Sequence, residues 1–194
     1  MSATRLILAA ILGGIGMFVW GYVVHMVLPL GHSGVKELPS EPAVLAPMKS
    51  ISEPAFYIFP GTGGKEMNAM SEAEKSEWTA RQKAGPTGIL VVHPNGREFN
   101  FVKLLGTEFG SNVAAAAFLA VIIACAGGGF GRGAVVGLFA GVFAWASIDV
   151  SYWNWYGFPS GVTMSSLVEQ GVGWLIGGAL IGLFARRRAV PAPA

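Results

Sequence analysis

LILAAILGGIGMFVWGYVVHMVLPL, residues 6–30, contains no Asp, Glu, Lys or Arg. A helix needs about 20 apolar residues to cross a hydrocarbon core, so this stretch is long enough with some tilt. Arg5 stands before it, as in a secretory signal peptide. Signal peptides, however, have shorter apolar regions and a small-x-small cleavage site. This run ends instead in Val24-His25-Met26-Val27-Leu28-Pro29-Leu30. It reads as an uncleaved first helix.

Three further runs resemble it. They span Phe109 to Phe130, Gly133 to about Ser151 (broken only by Asp149), and about Thr163 to Ala185 (broken only by Glu169). The chain as a whole agrees. Of its 194 residues 53% are hydrophobic and 12% charged, about half the charge share of a soluble domain. A soluble domain of this size needs more polar cover, and lipid removes that need. A net charge of +2 is too small for a nucleic-acid binder. The expected fold is an all-α membrane protein of four transmembrane helices with a small α+β insertion between the first and second.

The expected division is residues 1–31 as the first helix, 32–107 as a small extracytoplasmic domain, 108–188 as helices two to four, and 189–194 as a cytoplasmic tail. Within the insertion, Ser40-Glu41-Pro42 opens a short helix and Ala55 to Phe59 reads as a strand. Ser71-Glu72-Ala73-Glu74 fits a capping box, with a polar helix following to about Lys83. Ile89 to His93 and Glu98 to Val102 are β-rich, and Pro94-Asn95-Gly96 between them signals a hairpin.

Lys and Arg in short loops stay on the cytoplasmic side. Arg5, Arg132 and Arg186 to Arg188 would share one side of a four-span chain, while the loop Tyr152 to Val162 has neither residue type. The sequence therefore places both termini in the cytoplasm of a bacterial-type inner membrane. Trp153, Trp155 and Tyr156 fit an interfacial aromatic belt. Gly133, Gly137 and Gly141 recur at every fourth position, Gly173 pairs with Gly177, and Gly178 with Gly182. Such spacing lets helices approach closely in lipid, within one chain or in an oligomer.

This topology sets polar residues from all four helices at one depth: His25, Glu108 with Asn112, Asp149, and Glu169 with Gln170. At about 100° per residue His25 shares a stripe with Phe18 and Gly14, Asn112 with Ala115, Ala116 and Leu119, and Glu169 with Gly173 and Ile176. Charged groups within a membrane are costly and turn inward, pair or serve function. Two readings stand. In one the residues are structural: Ser166-x-x-Glu169 would be a capping box, and Asp149 and Glu108 would meet headgroups or water. In the other His25 acts as ligand or base with Asp149, Glu169 and Glu108 as partners.

No metal-ligand spacing occurs and no cofactor is expected. Gly61-Thr62-Gly63-Gly64-Lys65 lacks the spacing of a phosphate loop. His32 and His93 have no partner by spacing. Cys125, the single cysteine, sits in an apolar run and reads as a buried inert thiol. With no nucleophile–base motif the chain does not read as an enzyme. The expectation is an accessory or interaction component of a membrane complex, or a homo-oligomer, with the lipid bilayer as its surroundings. The alternative is the outer-end binding site.

Overall fold

The computed structural model describes residues 2–185, so the Arg186 to Arg188 cluster and the tail lie outside the described residues. Four helices are long and apolar enough to cross a membrane. The first is α1 (Ala3–Tyr22), continued by a π-helical turn, Val23–Val27. Next comes α4 (Phe101–Cys125). The third combines α5 (Phe130–Ala144), a second π-helical turn (Trp145–Asp149) and α6 (Val150–Tyr156). The fourth is α7 (Ser160–Phe184). Between α1 and α4 lie α2 (Glu41–Met48), β1 (Ala55–Phe59), α3 (Glu72–Ala84) and β2 (Gly88–Val92). The chain divides into two compact units, Glu37–Phe99 and the remainder. The insertion is thus narrower than the expected 32–107.

The helical unit is an up-down-up-down arrangement with α7 at its centre. Gly14 of α1 lies against Val113 of α4, and the rings of Phe18 and Phe109 meet edge to face at 5.6 Å. Gly13 and Met17 of α1 lie against Ile181 and Gly173 of α7. Each pair runs antiparallel. Ala9, Met17, Ala116, Leu119, Ile123, Trp174 and Ile181 form the core.

On the other side of α7 the contact is backbone to backbone. A Cβ on Gly133, Gly137 or Gly141 would collide with the carbonyl of Gly178, Trp174 or Gln170 respectively. Gly178 and Gly182 meet the carbonyls of Gly133 and Gly129 in the same way, and the Gly129 N–H donates to the Gly182 carbonyl at 3.0 Å. Small residues permit this approach, and in lipid it gives the dispersion contact that holds helices together. Gly173 and Gly177 face α1 instead, so α7 carries one glycine face for each neighbour.

Three local expectations are corrected. Helix α4 begins at Phe101, eight residues before the expected Phe109, because the Asn100 side chain accepts the Lys103 N–H at 3.0 Å and caps it there. Glu98 to Val102 is therefore not a strand, and no hairpin forms about Pro94-Asn95-Gly96. β2 pairs instead with β1, antiparallel, with Tyr57 opposite Leu90. Cys125 is exposed rather than buried, being the last residue of α4 on its outward side. An apolar run alone does not distinguish a side chain packed in protein from one facing lipid.

In the Glu37–Phe99 unit the capping box forms as the sequence indicates. Ser71 Oγ accepts the Glu74 N–H, and the Ser71 N–H donates to Glu74 Oε2 at 2.8 Å. The 61–65 loop has a structural task. Gly63 and Gly64 take positive φ, Thr62 Oγ1 donates to the Lys65 carbonyl, and Lys65 Nζ reaches Glu74 Oε1. The Lys65 ammonium, and then the Ser71 N–H and hydroxyl, hold the Glu74 carboxyl at about 2, below its ordinary 4.5. A carboxyl depressed on folding favours the folded unit above the ordinary value and loses that contribution as pH falls toward the lowered one. Carbon-13 NMR should find the Glu74 midpoint near 2 in the native protein. In Lys65→Ala it should rise toward the ordinary carboxylate range. An unchanged midpoint would show that Lys65 does not hold the charge.

Candidate functional site

Both titratable residues at the non-arginine end of α1 and α5 fall in π-helical turns. Val23–Val27 carries His25 and Trp145–Asp149 carries Asp149. A π turn inserts one residue into the helical ladder and rotates the helix beyond it, and such turns concentrate at functional sites. Both deliver their side chain to α7. His25 Nε2 lies 3.3 Å from Glu169 Oε1. The Ser166 hydroxyl donates to Asp149 Oδ1 at 2.7 Å. Ser166 and Glu169 are three residues apart, so they occupy one side of α7. α1 and α5 therefore each reach α7 at adjacent stations.

This geometry corrects the capping-box reading of Ser166 and Glu169. Helix α7 starts at Ser160, so both residues are well inside it. Ser166 partners a carboxylate on another helix. Gln170 accepts the Trp174 indole N–H at 3.1 Å, and its backbone carbonyl lies against Gly141.

Glu108 and Asn112 do not join the group. The contacts of Gly14 with Val113 and Phe18 with Phe109 fix the α1–α4 register. Extended along the helices, it sets His25 beside the first turn of α4 and Glu108 beside Val19. Glu108 is thus six residues, or about 9 Å of helix, from the level of His25. It is exposed. Asn112 is buried, 8% exposed, on the face turned to the core. The common depth expected for all four helices followed from starting α4 at Phe109.

Several participants carry no sequence signal of their own. The Trp20 indole nitrogen is buried and makes no hydrogen bond among the described residues. Its ring lies against Gly173, one turn of α7 beyond Glu169. Trp145 donates to the Thr163 carbonyl at 2.8 Å and fixes α5 to α7 beside Asp149. A shallow groove of about 270 Å³ lies there, lined by Trp145, Val150, Trp153, Ser160, Thr163 and Met164. On the other side Gly31 folds back against His25, and Ser33 and Gly34 lie against Gly161 and Val162.

The electrostatics of the group are unbalanced. No Lys or Arg pairs with Asp149 or Glu169 among the described residues. His25 is the basic partner of Glu169, with its side chain 55% exposed against 23% for Glu169. No group of three His, Cys, Asp or Glu side chains that could hold a metal ion occurs among the described residues. No protein-family model, curated protein or solved structure matches the chain.

Proposed function

We propose that the chain is a multi-pass protein of a bacterial-type inner membrane that binds a small cationic or proton-donating ligand at the His25–Glu169 and Asp149–Ser166 stations of α7. The carrying observation is the pair of π turns on separate helices, each aiming a titratable side chain at one side of α7. Carboxylates among apolar helices without a Lys or Arg partner are costly, and a proton or a cationic ligand relieves that cost. The buried Trp20 N–H, one turn away, offers a donor for the ligand's acceptor. By the short-loop rule, the end bearing Arg5 and Arg132 is cytoplasmic and the Glu37–Phe99 unit extracytoplasmic.

The competing reading is an accessory component or homo-oligomer. The glycine spacing would speak for it, but those glycines are occupied by contacts within the chain. Native mass spectrometry of the protein, extracted gently from its host membrane, separates the two. The binding reading expects a reproducible small added mass, retained in Cys125→Ala and lost in Glu169→Gln, with helical content unchanged in both. Stoichiometric partner chains without such a mass would replace it with the accessory reading.

A further inference from the structure

We propose that the seam where α1, α4 and α7 meet holds ordered water on the Asn112 side chain and the Trp20 indole N–H, and that this water stops at the apolar layer beneath them. The three helices converge at Gly13. Its Cβ position is met by Ile181 of α7 and Ala116 of α4, and its carbonyl lies against Gly177. Residues four apart fall on one side of a helix, one turn on. One turn toward the His25 end, Gly13 is succeeded by Met17, Ala116 by Asn112 and Gly177 by Gly173. The α1–α7 part of this layer is seen directly, since Met17 Sδ and the Trp20 ring both crowd the Cβ position of Gly173. Asn112 enters the layer from α4 and is 8% exposed.

Two polar groups of this layer have no partner. The Trp20 indole nitrogen is buried and makes no hydrogen bond among the described residues, and neither does the Asn112 side chain. Trp78, Trp145, Trp153 and Trp174, by contrast, each donate the indole N–H to an acceptor. A polar group left unpaired at such burial loses its hydration without compensation. The chemistry of the two groups identifies the occupant. The indole offers one donor, and the amide offers two donors and an acceptor. Met17, Trp20, Asn112 and Gly173 carry no charge, so the occupant is neutral. It must both accept and donate, and the crowding at Gly173 favours the smallest molecule that does so, which is water. Beneath the layer Ala9, Ala116, Ala120, Ile123 and Ile181 are 0% exposed and offer water no side-chain partner. The seam is therefore a dead-ended inlet, hydrated to Asn112 and dry below it. Glu169 lies one turn of α7 further out than Gly173, so this water needs no ligand at the His25–Glu169 pair. A ligand acceptor that reaches Trp20 takes the place of the water on the indole and leaves that on Asn112.

Water-edited solid-state NMR of the full-length, isotope-labelled protein in phosphatidylcholine vesicles tests the proposal. Magnetisation passing from water is read at the Trp20 indole nitrogen, assigned through Trp20→Phe, and at the Asn112 side-chain nitrogen, assigned through Asn112→Leu. The backbone nitrogens of Ile123 and Ile181 are the dry references. Transfer to both side chains should be several-fold faster than to the references. In Asn112→Leu, which keeps the branched shape without the polar atoms, transfer to Trp20 should drop several-fold with helical content unchanged. Slow transfer at Trp20 or Asn112 in the native protein overturns the proposal, and these native rates decide even where the variant fails to fold. Fast transfer at Ile123 or Ile181 overturns the dead end and makes the seam a through-route. Undiminished transfer to Trp20 in a folded Asn112→Leu protein also overturns it, because Asn112 then does not hold the water. Absence of a bound ligand mass would leave all these rates as they are, so the ligand reading and this one fail separately.

Discussion

Gly137→Leu is expected to separate α5 from α7 and cost about 3 kcal/mol or more, the upper end of what overpacking does. The Cβ position of Gly137 is already occupied by the Trp174 carbonyl, with the Gly178 Cα at 3.0 Å. Both are backbone atoms, so no rotamer change relieves the clash and the helices must move apart. That movement also breaks the fit of Gly133 to Gly178 and of Gly141 to Gln170, because all lie on one seam. Gly171→Ala is the matched control. Its Cβ would meet Leu138 Cδ1 at 3.8 Å, an ordinary contact. It should be neutral or stabilising by about 0.5–1 kcal/mol, since alanine loses less backbone freedom in a helix. Unfolding of the purified protein in mixed micelles provides the comparison. Equal stability of the two variants would show that the α5–α7 seam is not held by close approach.

Replacing His25 and Glu169 together by leucine should remove ligand binding completely while leaving stability equal to the native protein or about 1 kcal/mol higher. The pair is partly solvated, so its direct attraction is weak, and leucines keep apolar contact without desolvating a charge. Loss of the bound mass with an unchanged or raised unfolding midpoint identifies a group kept for function at a cost in stability. A fall of more than about 1 kcal/mol would make the pair a structural clasp between α1 and α7 instead. The single substitutions are less informative, because each leaves one polar partner facing an apolar side chain.

The four long helices were legible because apolar length is a local property that lipid-scale burial does not disguise. The capping box at Ser71 and Glu74 was legible for the same reason, since both partners lie within one turn. The start of α4 was not. Phe99-Asn100-Phe101-Val102 has strand composition, and only the capping of Lys103 by Asn100 decides for helix. That error also displaced Glu108 to the wrong level. The π turns were invisible because a fixed 100° step assumes an unbroken ladder. Ser166 shows a different limit. Its spacing to Glu169 satisfies a capping pattern, but its partner is Asp149, 17 residues away on another helix. No local pattern states which of two acceptable partners a hydroxyl will take.

The central place of α7 has a consequence for how the protein is made. α1 and α4 contact one another extensively and can pair as soon as both have left the ribosome. α5 has its main contact with α7, the last of the described helices in chain order. Until α7 is made, therefore, the flat glycine side of α5 lacks the backbone it fits, and the Asp149 carboxylate has no Ser166 to meet. Insertion of α7 completes both at once. The seam and the Asp149–Ser166 bond therefore form together, and a chain stopped before residue 160 would leave α5 without its main partner.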